Sequence, residues 1–305
     1  MRHPRIAASA ALLVLPVALI AQATAASGAA GRAAADSMVV STDWLAAHLN
    51  DPRVVVVDIV MENRGSADRI PGSRAMAYEK ITVKRNGLST ELPELDSLRS
   101  LVESLGISND SRVVVLSSHN APMATRFLMT LDYLGHPMIS YLDGGLTKWK
   151  AEHRPVSQAD AAVTRGTFTP HPRTGIVVDA DWIMARLGKP GLALIDTRTL
   201  GEYNGTGNRS GMPSAGHLAD ARQLEWEWLF RTDNEMQLKD RAELQKLYAD
   251  RMKPGDTVVT YCWVGYRASA TYFAARMLGL DAKFYDGSYQ DWQQRKLPTV
   301  AGEKP

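Results

Sequence analysis

Cys262 is the one cysteine in this 305-residue chain, and Arg267 follows it in the stretch Tyr261-Cys262-Trp263-Val264-Gly265-Tyr266-Arg267-Ala268-Ser269. A thiolate is both a nucleophile and an anion. A short loop that leads into a helix suits it on both counts, because successive backbone N–H groups and the positive end of the helix dipole converge on an anion held there. A buried structural thiol is a common fate of free cysteine, but the strand, turn and helix around Cys262 favour the nucleophile. The spacing is C-x4-R, one residue short of the C-x5-R loop with which a protein tyrosine phosphatase wraps phosphate, so the cradle is tighter.

The elements that must position this loop are legible on either side. Asp256-Thr257-Val258-Val259-Thr260-Tyr261 is β-branched and aromatic, bounded by Pro254-Gly255, and predicts a buried strand. Ala268 to Leu280 favours helix, with Leu278-Gly279 as its stop. Further short apolar strands at Val54 to Asp58, Val113 to Leu116 and Ala193 to Asp196 alternate with amphipathic stretches. That order predicts an α/β chain with mainly parallel sheets and helices on both faces. In such sheets ligands collect beyond the carboxyl ends of the strands, where Asp196 and Cys262 fall.

The loop resembles the active-site loop of rhodanese-like sulfurtransferases in its bacterial C-x-x-G-x-R form. Leu194-Ile195-Asp196-Thr197-Arg198 with Glu202-Tyr203 looks like the family's Asp-x-Arg strand end. Ala215-Gly216-His217-Leu218-Ala219-Asp220-Ala221 is similar to its Gly-His-Ile-Pro-Gly-Ala turn, and Phe284 to Trp292 to its closing strand and helix start. The order and spacing of these segments around Cys262 carry the resemblance.

The first half of the chain is a second copy. Val39-Val40-Ser41-Thr42-Asp43-Trp44-Leu45 stands opposite Val177-Val178-Asp179-Ala180-Asp181-Trp182-Ile183, an offset of 138 that holds through Pro52 and Pro190 to Asp58 and Asp196. Leu142-Asp143-Gly144-Gly145 with Trp149 matches Tyr285-Asp286-Gly287-Ser288 with Trp292 at an offset of 143. The chain is therefore expected to be two tandem rhodanese-like domains. Counting back from Leu134-Gly135 against Leu278-Gly279 puts Ser118 opposite Cys262 and Met123 opposite Arg267, so the first copy lacks the nucleophile. Its loop Ser117 to Met123 offers a serine beside His119, but spacing identifies no acidic partner for a triad. The turn Asp68 to Ser73 is a degenerate form of its counterpart, and the expected work of this half is to cover one side of the cleft.

Residues 1–25 read as a signal peptide: Arg2 and Arg5 precede an apolar run to Ile20, and Ala23-Thr24-Ala25 or Ala21-Gln22-Ala23 offers a cleavage site. Residues 26–37 are then a flexible segment, 38–156 a domain without the active cysteine, 157–175 a linker with Pro170 and Pro172, and 176–305 the catalytic domain. The 45% hydrophobic content suffices for two cores. Losing Arg2 and Arg5 takes the formal charge from +2 to zero, which gives no general attraction to nucleic acid or to a membrane surface once the signal is cleaved. A periplasmic or secreted location follows, with an uncleaved anchor as the alternative. A lone thiol in an oxidising compartment is exposed to oxidation, which argues that it is used.

The resemblance implies a two-step transfer. Cys262 takes sulfane sulfur from a donor such as thiosulfate, holds it as a persulfide among the N–H groups of Trp263, Val264, Gly265, Tyr266 and Arg267, and passes it to cyanide or a thiol. No cofactor and no metal are implied, and His217 reads as a turn residue. Two roles stand open for Arg267: facing the donor anion, or tying the loop to an acidic neighbour such as Asp196. Arg198 carries the same pair of roles, and Arg209 is a further candidate cation.

Trp263 and Val264 depart from the basic residues that vertebrate thiosulfate enzymes carry after the cysteine, and they fail equally to match the small Gly-Ser-Gly-Val-Thr loop of mercaptopyruvate enzymes. Thiosulfate is the first choice of donor because of Arg267, and 3-mercaptopyruvate is the second. A persulfide carrier with a protein acceptor and a non-catalytic binding module are the remaining classes. Trp263 and Tyr266 are expected at the pocket rim. Trp149 and Trp292 are assigned to packing, and Trp226 and Trp228 either to an inter-domain face or to helix packing. Glu202 stands where some relatives place a substrate arginine, so that role is not carried over.

Overall fold

The computed structural model describes residues 38–62, 68–159, 161–207 and 216–302. The leader read at 1–25, the segment 26–37 and Arg209 lie outside the described residues.

The first unit runs β1 (Val39–Val40), α1 (Thr42–His48), β2 (Val54–Val60), β3 (Arg74–Ala77), a hairpin of β4 (Val83–Arg85) and β5 (Leu88–Glu91), α2 (Leu95–Ser104), β6 (Arg112–Ser117), α3 (Ala121–Tyr133), β7 (Ile139–Leu142) and α4 (Gly145–Ala151). The second runs β8 (Val177–Val178), α5 (Ala180–Met184), β9 (Leu192–Asp196), α6 (Leu200–Asn204), β10 (His217–Leu218), β11 (Arg222–Gln223), α7 (Arg241–Ala249), β12 (Thr257–Tyr261), α8 (Ala268–Met277), β13 (Ala282–Tyr285), α9 (Ser288–Gln294) and β14 (Thr299–Val300).

Each unit holds a five-stranded sheet, ordered β3-β2-β6-β7-β1 in the first and β11-β9-β12-β13-β8 in the second. Every pairing within both is parallel. The repeat extends to local detail: Ser41 caps α1 through the Trp44 N–H, Asp179 caps α5 through the Trp182 N–H, and the indoles of Trp149 and Trp292 donate to the Pro155 and Pro298 carbonyls.

Strand alternation sorts the side chains. Val55, Val57 and Ile59 face inward toward the other unit, while Val56 faces the outer helices; likewise Val258 faces inward, and Val259 and Tyr261 outward. The inner faces do not form two separate cores. One continuous apolar cluster crosses from Val57 and Phe127 of the first unit to Phe273 and Phe284 of the second, and two smaller clusters lie under the outer helices. The cause is α3, whose residues Ala121 to Asp132 are all buried, packed against the equally apolar α8. A helix apolar all round must be covered on every side. Polar contacts fix its register: the Thr125 and Ser269 hydroxyls meet at 2.8 Å, and Tyr272 donates to Asp132 at 2.7 Å.

The stretch expected as a linker at 157–175 has no helix or strand of its own until the turn Thr174–Ile176, yet it is bonded down along the first unit. Gly166 donates to Glu103, His171 to Leu134 and Arg173 to Tyr133, and buried Phe168 stacks on His136. It is a strap rather than a free crossing, because an apolar residue inside a polar run finds a slot to fill.

Trp226 and Trp228 occupy a short 3-10 turn, Trp226–Leu229, in which Trp226 is buried against Phe230 and Trp228 is exposed beneath Arg251. His217 is fully buried, stacked on Tyr203 at 3.7 Å, and belongs to β10, which pairs with β14.

Candidate active site

Cys262 follows the last residue of β12 and lies on its inward face, fully buried in the shared core between the units. The next residue must then point the other way. Trp263, expected at the pocket rim, is instead packed in the outer cluster against Tyr289, with ring centroids 5.3 Å apart. Alternation along the strand continues two residues past its end, and that decides the matter.

The loop from Cys262 to Arg267 is tied at its edges and open at its centre. The Cys262 N–H donates to Ser288 Oγ at 3.2 Å, the Cys262 carbonyl accepts from Tyr289, and the Trp263 carbonyl accepts from Gln290. The backbone N–H groups of residues 263 to 268 have no acceptor among the described residues. Six successive donors ahead of a helix form a nest for negative charge.

Ser288 pays a conformational cost for its place. It holds φ at 52°, where the first unit has Gly145 at φ 55°, and a side chain in that region costs on the order of 1 kcal/mol.

Gly265 is required at the crest of the loop, with φ of 78° and a position where a Cβ would fall 2.6 Å from the Asp286 carbonyl oxygen. Gly265→Ala should lower unfolding free energy by about 2 kcal/mol and reduce turnover more than substrate affinity. Denaturant unfolding together with steady-state kinetics checks this; unchanged values in both would remove the packing argument.

The expected acidic partner of Arg267 was Asp196; the structure shows Glu202. The two Arg267 terminal nitrogens donate to the two Glu202 oxygens at 2.7 and 2.8 Å, a bidentate pair with both side chains largely buried. Burial works against both charges. Mutual pairing outweighs it, so Arg267 holds its proton more tightly than usual, helped by nearby Cys262, and the Glu202 carboxyl falls to about 2.

A carboxylate whose native pKa is depressed stabilises the fold above its unfolded value and loses that contribution as pH falls through the native one. Glu202 should therefore contribute about 3 kcal/mol at neutral pH, lost between about pH 4.5 and about 2. Glu202→Gln should be correspondingly less stable at pH 7 and should flatten that acid limb in urea titrations run across pH. An acid limb identical to that of the wild type would contradict the pairing.

Arg198, expected among the residues meeting substrate, lies fully buried away from the cleft. Its guanidinium donates to Asp196 at 2.6 and 2.9 Å and to the Gly216 carbonyl at 2.7 Å, and stacks over Tyr289 at 4.0 Å. Asp196 also accepts from Tyr261 at 2.7 Å. These groups brace the strand end beneath the loop, since a buried guanidinium spends its donors on the nearest carboxylate and carbonyl.

Tyr266 and Val264 do reach the cleft. They line a depression of about 630 Å³ together with Met61, Tyr78, His119 and Asn120 of the first unit. Tyr266 donates to Asn120, which also caps α3.

The first unit contributes more than a wall. Arg126 of α3, fully buried, donates to Asp286 at 2.7 Å, to the Thr90 carbonyl at 2.8 Å and to the Gly265 carbonyl at 3.4 Å. Asp286 accepts in turn from the Leu92 N–H, and the Thr90 hydroxyl donates to the Val264 carbonyl. The β4–β5 hairpin is thereby clasped onto the cysteine loop. Sequence reading missed Glu202, Ser288, Arg126, Asp286 and Tyr78. Two signals were available: the Thr199-to-Glu202 capping spacing, and serine at 288 where the repeat has glycine.

Strand register also corrects the first copy by one residue. Asp58 pairs with Leu116 as Asp196 pairs with Tyr261, so Ser117, not Ser118, stands opposite Cys262. The offset slips because α3 begins a turn earlier than α8 relative to their common Leu-Gly ends. Ser117 Oγ donates to the Ile59 carbonyl and accepts from the His119 and Asn120 N–H groups. Ser118 does have an acidic partner, Asp58, which spacing alone had not identified. The contact is a serine on a buried carboxylate, with no histidine between them.

A model of the rhodanese-like domain matches residues 41–152 and 179–295. A thiosulfate sulfurtransferase of Azotobacter vinelandii is 29% identical over 257 residues, spanning 84% of this chain and 93% of that protein. A sulfur carrier protein of Thermus thermophilus is 30% identical over 290 residues, spanning 88% and 98%. Among solved structures, an anaerobic ergothioneine biosynthesis enzyme from Chlorobium limicola superposes with a TM-score of 0.77 over 87% of this chain and 70% of that one, at 21% identity, which is a likeness of fold.

Proposed function

The chain belongs to the rhodanese-like family, and on that premise we propose that it is a sulfurtransferase that moves sulfane sulfur through a persulfide on Cys262, with thiosulfate as donor. The Cys262 thiolate attacks the outer sulfur of thiosulfate. The S–S bond breaks, its electron pair leaves with sulfite, and a Cys262 persulfide anion remains. Cyanide or a thiol then attacks the outer sulfur and returns the thiolate.

The observation that carries this reading is the row of unspent backbone donors around a buried thiol. They favour negative charge on sulfur without needing a metal or a free cation. Because Cys262 has no exposed surface, side chains at the cleft must part before a donor arrives.

A second reading, with a protein as acceptor, is favoured by the state of the arginines and the character of the cleft mouth, and 3-mercaptopyruvate, an anion like thiosulfate, stays the second choice of donor. Arg267 and Arg198 are both committed to carboxylates, and the cleft mouth is largely aromatic and apolar. Intact mass distinguishes these. A gain of one sulfur, about 32 Da in the covalent step, that requires Cys262 and disappears with cyanide supports transfer. Gain only with 3-mercaptopyruvate moves the donor, and no gain with either sinks the small-donor enzyme.

Export is the proposed location, on the character of residues 1–25. Protein recovered from the periplasm should lack that segment by mass, and full-length protein held in membranes would sink the idea.

A further inference from the structure

Tyr78 opens a 3-10 turn directly after β3, in the unit that lacks the cysteine. Its ring meets Tyr266 edge-on, with centroids 5.2 Å apart and planes at 79°, and it lines the same cleft. Its hydroxyl is sealed from solvent and has no hydrogen-bond partner among the described residues.

The hydroxyls of neighbouring tyrosines are satisfied: Tyr261 by Asp196, Tyr272 by Asp132, Tyr266 by Asn120. A buried phenol with nothing to bond is costly and calls for an explanation. Charge on Cys262 is felt at this hydroxyl, alongside Arg126, Tyr266 and Asp286, and burial first among these causes pushes the phenol up. Tyr78 therefore stays protonated, a neutral donor, across the working range.

We propose that the Tyr78 hydroxyl is the hydrogen-bond donor to the outer sulfur carried on Cys262, which makes the first unit a contributor to the reacting atoms. The inference rests on the persulfide reading above. In the loading step the Cys262–sulfur bond forms, the donor's S–S bond breaks, and sulfite leaves with the pair. Tyr78 keeps its proton throughout and bonds to the negative charge that arrives on the outer sulfur. In the resting protein the donor is unspent, so its interaction exists only once sulfur is bound, which favours loading over binding alone.

The test is Tyr78→Phe, which keeps the ring on Tyr266 and deletes one oxygen. At fixed thiosulfate and sulfite, the fraction of protein carrying sulfur is read by intact mass for wild type and variant. A lost hydrogen bond to an anion should shift the loading equilibrium toward free enzyme by about tenfold to a hundredfold, and should shrink the rise in unfolding midpoint that loading confers on the wild type. A hydroxyl that only packs would lower the midpoint equally with and without sulfur and leave the loading equilibrium within about twofold of wild type; that result overturns the assignment. Wild type that takes up no sulfur at all fails the persulfide reading and this inference with it, whereas equal loading of wild type and variant fails this inference alone.

Discussion

Cys262→Ala should lower sulfur transfer from thiosulfate to cyanide by about 10⁴-fold or more, the scale seen when a covalent nucleophile is deleted. Nothing else in the described site can replace it. Ser269 is bonded to the Tyr266 and Pro122 carbonyls, Ser288 Oγ to the Tyr285 carbonyl and the Cys262 N–H, and the serines of the first unit to Ile59 and Asp58. The fold should survive, since trimming one sulfur from a packed position costs about 1 kcal/mol, and the loop is held by Ser288, Arg126 and Thr90 rather than by the thiol.

Cys262→Ser keeps shape but not thiolate chemistry, so it should be as inactive as the alanine variant. Wild type should show parallel double-reciprocal lines for donor and acceptor, as a two-displacement route requires. Intersecting lines, or turnover of more than a few per cent in Cys262→Ala, would refute the persulfide route.

The second large effect is expected at Arg126→Met, which should lower unfolding free energy by about 3–5 kcal/mol, the range for breaking a buried ion pair on one side. Methionine fills most of the space beside the Phe284 ring, over which the guanidinium sits at 5.1 Å, so the loss is electrostatic rather than a cavity. Asp286 is left as a buried carboxylate with only the Leu92 N–H to bond among the described residues, and the Thr90 and Gly265 carbonyls lose a shared donor.

The loop then loses its clamp to the first unit. Turnover should fall by about tenfold to a hundredfold, since small misplacement of a reacting group is expensive. Combining Arg126→Met with Asp286→Asn should cost much less than the sum of the two singles, because the pair shares one interaction. Additive losses in denaturant unfolding would show that the bridge between units does not exist in solution.

What could be read along the chain is what local chemistry decides. A β-branched run after Pro-Gly gave β12 and an alanine-rich run stopped by Leu-Gly gave α8 to within a few residues, because strand and helix formation and their stops depend on neighbours in sequence. Two copies of one pattern, held at an offset of 138 from Val39 to Asp58, fixed the tandem α/β plan. The inward placement of Cys262 and the outward placement of Trp263 also follow from the two-residue period of a strand, although Trp263 was read at the rim.

Tertiary structure alone decided who pairs with whom. Glu202 lies 65 residues from Arg267 and Arg126 lies 160 from Asp286, and no local rule selects those partners over Asp196 or any other carboxylate. Their choice depends on how α3 and α8 pack into one core, which sets the distance between the two units. The unspent hydroxyl of Tyr78 exists only because that packing closes over it, and a one-residue slip at Ser117 arose because a helix can start a turn early without changing where it ends.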